Sequence, residues 1–412
     1  MVSGEYPPMK GGVSRYTHSL VQALAKKVEV AVATNIAVNN KVAQKGDIDD
    51  NFKDGNNTTT IYPLIRKGDK ENSDRLLELA FRLKPDIINI QYERGLYEID
   101  TPFHMIQNTL FGTTLDKFYR ASPFPTVTTI HTVYPYKEYH KYIRQRAERK
   151  AGKLRFLPLP LRAAIRSQIM EQRYRLLLKI VQLSGGIISP ARTIHDIVGR
   201  GTVIYHGAEP AILTNADYFP LSSMKREEFR KEFGLPAKEM LLLAFGYAGF
   251  YKGFDILDNL VLPKDWKLVI KQDRHERGNE HPMQVKNAIN LNLGYLDDRI
   301  LSMLFFACNA IIFPYKLVSI SGVMFDALAH GLPFVASELE FFKEFADMGL
   351  GIVCKRDAKS FSDAIHYLDE NYSQYRRSIE QFGPKLQWRN IADRHIEVYS
   401  KNISKRSATL ST

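Results

Sequence analysis

Short apolar runs, each bounded by charged or turn-forming residues, recur along the chain. They alternate with longer stretches whose apolar positions return every three or four residues. The first kind predicts buried strands at Val28–Thr34, Asp86–Gln91, Thr126–His131 and Gly186–Ser189, with Val203–His206 closing that set or opening a crossing. The second kind predicts helices at Ser14–Lys26 and Ser73–Leu83. After a polar connection, Thr214–Lys238, the alternation resumes. Strands are expected at Leu241–Phe245, Trp266–Lys271, Ala310–Pro314 and Gly351–Cys354, and helices at Lys252–Leu260, Asp298–Ala307 and from Ser360. Such alternation predicts parallel sheets covered by helices on both faces: an α/β chain of two doubly wound, Rossmann-like domains facing across a cleft. The expected division is an N-terminal domain, 1–188, and a second domain, 189–384. A last helix within 385–402 packs back on the first domain, and 403–412 form a disordered tail. The polar loop Asn39–Thr60 is expected to be mobile. Only Met1, Val2 and Ser3 precede the first loop, so the gene is expected to begin a few residues upstream.

The segment from Phe313 to Ser337 carries the most chemistry. It reads as a buried strand, a small-residue loop (Ser319-Ile320-Ser321-Gly322-Val323), a short apolar helix, a glycine stop and a second buried strand. Backbone N–H groups at such a helix start lack intrahelical partners and carry partial positive charge, so they favour an anion, most often a phosphate. Ser319 and Ser321 add hydroxyl donors, Gly322 lets a ligand approach the backbone, and Asp326 is expected on the first helical turn, facing the same ligand.

Other strand ends carry candidates too. Gly11 and Gly12, in Tyr6-Pro7-Pro8-Met9-Lys10-Gly11-Gly12, can bring amides against a diphosphate, although a plain strand-to-helix turn looks the same. His131 ends an apolar strand and is expected to face the cleft, as hydrogen-bond partner of a sugar hydroxyl or as an acid or base; a structural histidine is the competing reading. Tyr92 and Glu93 end a strand the same way, on the acceptor side. His206-Gly207 suggests either a tight backbone approach or a domain connection. In Gly246–Gly253, Lys252 arrives at an expected helix start, where a lysine repels the dipole unless an anion offsets it. That marks a phosphate contact. The GxxxxGK[ST] spacing of an NTPase loop is missing. No HExxH, paired CxxC or close carboxylate set suggests a metal, and Asp47-Ile48-Asp49 sits in a polar loop and reads as solvated.

Composition is globular, with 44% hydrophobic and 25% charged residues over 412 positions. Two cysteines, Cys308 and Cys354, argue against a disulfide framework and for a reducing cytoplasm. No apolar run is long enough to span a bilayer, and the start lacks a signal-peptide core. The net charge of +12 is uneven: residues 137–179 hold 13 Lys/Arg against 3 Glu, interleaved with Leu154, Phe156, Leu157, Leu159, Leu161, Ile165 and Ile169. Basic plus apolar suggests an anionic membrane surface; a solvated helix face competes, and no motif supports nucleic acid.

Taken in order, Tyr6–Gly12, His131, His206-Gly207, Lys252-Gly253, the segment ending Gly331-Leu332-Pro333-Phe334-Val335-Ala336-Ser337, and the stretch from Trp388 resemble a family 4 glycosyltransferase, a retaining enzyme of the GT-B fold from glycosyl transferases group 1. The resemblance covers nearly the whole chain. It implies a nucleoside-diphosphate sugar held by the second domain. Lys252 would contact the diphosphate, and Ser319, Ser321, Gly322 and Val323 would hold phosphate and sugar. Asp326 would grip the ribose hydroxyls, Gly11 and Gly12 would approach the diphosphate or acceptor, and His131 would meet the transferred sugar. His131, Lys252 and Asp326 are the implied catalytic set. No cofactor and no divalent metal are expected, because amides, Lys252 and the helix dipole stabilise the leaving diphosphate. Departures from the family pattern are Ser319 and Asp326 where two glutamates often stand, and Tyr247 for an arginine whose contact Lys271 or Lys316 would replace.

The implied reaction is retaining transfer of a hexose to an acceptor hydroxyl, with domain closure excluding water. The basic segment points to a lipid-linked or membrane-proximal glycan acceptor and a cytoplasmic protein, peripheral on the inner membrane face. Rival readings are a nucleotide-sugar 2-epimerase of similar fold and a degenerate sugar-nucleotide-binding protein.

Overall fold

The computed structural model describes residues 1–38, 48–55, 58–99, 101–149, 158–274 and 281–410. The chain divides into two compact units. One comprises Met1–Tyr134, Ile143–Gly207 and Trp388–Thr412; the other comprises Pro135–Tyr142 and Ala208–Gln387. The boundary thus falls after Gly207 rather than after 188, because the last strand of the first sheet lies beyond the expected border.

The first unit holds β1 (Val2–Ser3), β2 (Ala31–Asn35), β3 (Phe52–Lys53), β4 (Thr60–Ile65), β5 (Ile88–Tyr92), β6 (Thr126–Ile130), β7 (Gly186–Ser189) and β8 (Thr202–Val203). Their order is β3-β4-β2-β1-β5-β6-β7-β8, parallel throughout except for β3, which runs antiparallel to β4. The two-residue β1 therefore lies at the centre of the sheet. β3 and β4 were not expected. They lie in and beside the polar loop Asn39–Thr60, of which 39–47 and 56–57 are outside the described residues, and Pro63 interrupts the strand pattern of β4.

The second unit holds β9 (Met240–Tyr247), β10 (Trp266–Asp273), β11 (Ala288–Leu291), β12 (Ala310–Phe313), β13 (Phe334–Ser337) and β14 (Gly351–Cys354). All are parallel, in the order β11-β10-β9-β12-β13-β14. Relabelled from the first strand, this is the 3-2-1-4-5-6 order of a dinucleotide-binding sheet, with its switch point between β9 and β12. The near-continuous apolar runs of β9 and β12 follow from burial on both faces. An aromatic core fills one side: Phe313 stacks on Phe342 at 5.3 Å, and Phe325, Phe334, Phe341 and Phe345 are fully buried around them.

The last helix, Trp388–Leu410, belongs to the first unit and packs on the helix Gly12–Leu24. Ile391, Ala392, Val398 and Tyr399 join Tyr16, Leu20, Leu24, Val127 and Ile188 in one core. The helix runs on to Leu410, through residues expected to form a disordered tail. The Trp388 indole covers Gly207, where an added Cβ would lie 2.5 Å from the ring, so the tight approach at His206-Gly207 is made by the chain itself. The expected helix Lys252–Leu260 is instead two 3-10 turns, Phe250–Lys252 and Phe254–Asn259. Among the described residues no helix is long and apolar enough to cross a membrane.

Candidate functional site

Open parallel sheets bind ligands outside the carboxyl ends of their strands, at the switch point of strand order. In the second unit those ends belong to β9 and β12. The loop after β9 carries Lys252 and the loop after β12 carries Tyr315, Ser319 and Ser321. Sheet order alone brings these together, although 63 residues separate Lys252 from Tyr315.

Lys252 is buried. Its Nζ donates a hydrogen bond to the Tyr315 hydroxyl and lies 4.1 Å from the Tyr315 ring centroid and 5.3 Å from that of Tyr251. Burial pushes its pKa down from 10.5 to about 7, so the amine is poised between charged and neutral. It sits at the end of a 3-10 turn, not at the start of an α-helix. Desolvation, rather than dipole repulsion, is therefore what an incoming anion would relieve. Two glycines shape the surroundings of Lys252. Gly246 has φ +136°, and a Cβ there would stand 3.1 Å from the Lys252 Nζ. Gly253 has φ +67°, and a Cβ there would strike the Pro314 carbonyl at 1.9 Å. The two loops are also stapled by the Lys316 N–H donating to the Tyr251 carbonyl at 2.7 Å.

Ser321 caps the helix Gly322–Ala329, its Oγ accepting from the Met324 N–H at 3.3 Å. The Ser321 side chain also hydrogen-bonds the Tyr315 phenol, whose pKa burial pushes up, so the phenol stays protonated. Lys252 and Ser321 thus meet at one hydroxyl. The first-turn N–H groups of Gly322 and Val323, both half-buried, have no intrahelical acceptor. Ser319 is buried in the same loop. Asp326 is the fifth residue of the helix, on its second turn rather than its first, and is buried; its carbonyl accepts from the His330 N–H at 3.1 Å.

The two lysines expected to replace the missing arginine contact already have carboxylate partners. Lys271 is fully buried, donating to Asp273 and the Gly294 carbonyl. Lys316 pairs with Asp255 at 3.2 Å and lies 3.8 Å over the Phe250 ring. The guanidinium nearest the glycine turn is Arg356, held by the Pro314 and Gly253 carbonyls at 2.8 Å and by Asp255.

In the first unit the matching switch point lies between β1 and β5. Gly11 caps the helix Gly12–Leu24, but the Glu5 carboxylate already occupies that helix start. Its Oε1 accepts from the Ser14 N–H at 3.0 Å, and a Cβ on Gly11 would lie 2.1 Å from it. Gly12 has open space around it. Tyr92 and Glu93 end β5, yet the Tyr92 ring is buried and stacked 6.0 Å from Tyr97, not presented to solvent; Glu93 is half-buried.

His131 follows β6 and is buried, with its ring edge-on to Tyr16 at 4.8 Å. Burial, then His206 and His395, lower its pKa from 6.5 to about 3. Gln91 Nε2 donates to Asn89 and to the Met1 sulfur, which leaves Gln91 Oε1 to accept the His131 Nε2–H at 2.7 Å. His131 is therefore a neutral imidazole that carries its proton on Nε2. Of its expected roles, an imidazolium acid at neutral pH does not fit.

Among the described residues no cluster of His, Cys, Asp and Glu could hold a metal ion. Asp47 lies outside the described residues, and Asp49 pairs with Arg82 at 2.7 Å. Tyr315 and Glu5 were not singled out from sequence. Tyr315 follows an apolar strand as one more aromatic, and only the pairing of β9 beside β12 reveals it.

No protein-family model matches the chain, and no curated protein matches it. Solved structures do. Sucrose-phosphate synthase from Thermosynechococcus elongatus superposes with TM-score 0.63 at 14% identity, covering 98% of this chain and 99% of that one. The catalytic domain of starch synthase IV from Arabidopsis thaliana, bound to ADP and acarbose, gives 0.58 at 14% identity, with 98% of each chain covered. HepE from Anabaena in complex with UDP-glucose gives 0.53 at 12% identity, covering 100% of this chain and 99% of that one. At such identities the likeness is one of fold: two Rossmann-like units, the GT-B architecture.

Proposed function

We propose that the protein is a glycosyltransferase that takes a hexose from a nucleoside-diphosphate sugar and delivers it to an acceptor hydroxyl with retention at the anomeric carbon. One observation carries this reading: a desolvated lysine and a capping serine converge on Tyr315 at the start of the helix Gly322–Ala329, at the switch point of a 3-2-1-4-5-6 sheet. Cation, hydroxyls and first-turn amides together suit a diphosphate. They would be worth most as negative charge grows on the leaving phosphate in the transition state. The fold shared with sucrose-phosphate synthase and starch synthase supports it.

Lys252, Ser319, Ser321, Gly322 and Val323 would hold the diphosphate and sugar, and Asp326 the ribose. The neutral His131 imidazole would meet the transferred sugar. Acceptor attack from the leaving-group face needs no protein base, since the departing phosphate oxygen can take the proton. The Glu5 carboxylate at the Gly12–Leu24 helix start argues against Gly11 as a direct diphosphate contact; Gly12 keeps open space. The basic segment 137–179 favours a lipid-linked or membrane-proximal acceptor and a peripheral position on the inner membrane face, although its residues 150–157 lie outside the described structure.

Thermal melting with a panel of nucleotide sugars tests the core of the proposal, because a ligand of the folded state must raise its stability. A donor that stabilises the parent and not Lys252→Ala, followed by glycosyl transfer, supports it. Stabilisation without transfer to any acceptor would point instead to a degenerate binder, and interconversion of free nucleotide sugars to an epimerase. No stabilisation by any donor would overturn it.

A further inference from the structure

The helix Pro102–Phe111 presents an apolar face to solvent. Phe103, Ile106 and Leu110, spaced i, i+3 and i+7, are 72%, 62% and 69% exposed, and Phe111 at the helix end is 77% exposed. The spacing places the first three within one stripe, while Met105 and Asn108 on the opposite face are buried. The stripe is therefore not a core face turned outward by register. Single exposed apolar residues are ordinary; four large ones on one helix mark a contact surface. The helix carries no Lys, Arg, Asp or Glu, so nothing charged would enter an apolar phase with it.

Its neighbour supplies the charge. The helix Leu159–Leu183 packs against it, with Thr109 Oγ1 donating to Gln172 Oε1 at 3.4 Å. That helix holds five Lys/Arg (Arg162, Arg166, Arg173, Arg175, Lys179) and one Glu, and the Arg175 side chain, three residues past Gln172, is 67% exposed. Two copies of this chain docked stripe to stripe would bring like-charged helices together, which is unfavourable. An anionic bilayer matches both features: headgroups pair with the basic helix, and the stripe enters the acyl boundary. We propose that the face formed by Phe103, Ile106, Leu110 and Phe111 inserts into an anionic membrane surface beside the basic helix Leu159–Leu183. This rests on the membrane-proximal reading above and locates its apolar anchor outside the segment 137–179.

The test uses the full chain and co-sedimentation with vesicles of phosphatidylcholine alone or mixed with phosphatidylglycerol. The parent should bind the mixed vesicles, and Phe103→Ser/Ile106→Ser/Leu110→Ser should partition about a hundredfold more weakly, with unchanged stabilisation by donor nucleotide as the control for folding. In Phe103→Trp, indole emission should shift to shorter wavelength on adding mixed vesicles. A parent that ignores phosphatidylglycerol would remove the membrane reading and this inference with it. Equal binding by parent and triple-serine variant would overturn the stripe's role alone and leave the membrane reading standing. A dimeric parent that becomes monomeric in the variant, with vesicle binding unchanged, would reassign the stripe to an interface between copies.

Discussion

Lys252 offers the sharpest test, because its pKa and its ligand are coupled. Burial lowers that pKa from 10.5 to about 7, which corresponds to ~5 kcal/mol for charging the amine where it lies. A phosphate charge about 4 Å away, at an effective dielectric of about 20, returns roughly 4 kcal/mol, enough to restore a pKa near 10 in the complex. Only the ammonium form makes that contact. Nucleoside diphosphate should therefore bind with a nearly constant affinity just below pH ~7, then weaken close to tenfold per unit, about a hundredfold by pH ~9. Calorimetry in buffers of different ionisation heat should show about one proton taken up per ligand bound near pH ~8.5. Lys252→Ala should bind weakly and without this slope, and turnover should fall by about a hundredfold or more. Stability has its own sign. The folded pKa lies below the unfolded one, so between pH ~7 and ~10.5 the unfolded chain binds more protons and the unliganded protein gains stability as pH rises. Lys252→Met should accordingly raise the melting temperature of the unliganded protein at about pH 6. A parent whose diphosphate affinity is flat from pH ~7 to ~9 would refute the reasoning, since it would mean that the free amine is not held near ~7 or that it never meets the phosphate.

Other outcomes follow from the same geometry. Tyr315→Phe removes the hydroxyl shared by Lys252 and Ser321 and should weaken diphosphate binding about tenfold, measured by titration calorimetry; an unchanged Kd would mean the hydroxyl organises nothing. Gly246→Ala places a methyl 3.1 Å from the Lys252 amine on a backbone at φ +136°, so both melting temperature and donor affinity should drop, by about 1–2 kcal/mol in stability. With the His131 pKa near 3, kcat/KM should show no acidic limb from His131 above about pH 5, and a limb near pH ~6.5 abolished by His131→Asn would contradict the neutral imidazole. With Lys252 and helix amides in their proposed place against the diphosphate, turnover should survive chelation by EDTA; loss that magnesium restores would assign the charge stabilisation to a metal.

Much of the fold was legible because its strands are buried on both faces. Gly186–Ser189, Gly351–Cys354 and the helix Asp298–Ala307 appear where the apolar runs place them. β3 and β4 were missed because Pro63 and a polar approach hide the pattern, and β11 because Ala288–Leu291 is short, only partly buried and interrupted by Asn290. The Lys252–Leu260 stretch has helical spacing, yet Gly253, needed at φ +67° to clear Pro314, breaks it into two turns. Local pattern cannot report such a clash, because its partner lies some sixty residues away in the chain.

The candidate site divides in the same manner. Residue order alone marked the small-residue turn, the capping serine and the lysine, because each has a local signature: a hydroxyl before a helix, a glycine pair, a cation in a loop. Tertiary structure decided what surrounds them. Strand order set β9 beside β12 and thereby put Lys252 against Tyr315; burial lowered the lysine's pKa; Glu5 took the helix start next to Gly11; and the Pro102–Phe111 helix was turned so that its apolar stripe met water. Propensity and capping act within a few residues and can be read along the chain. Desolvation and partner choice depend on neighbours that only the folded sheet brings together.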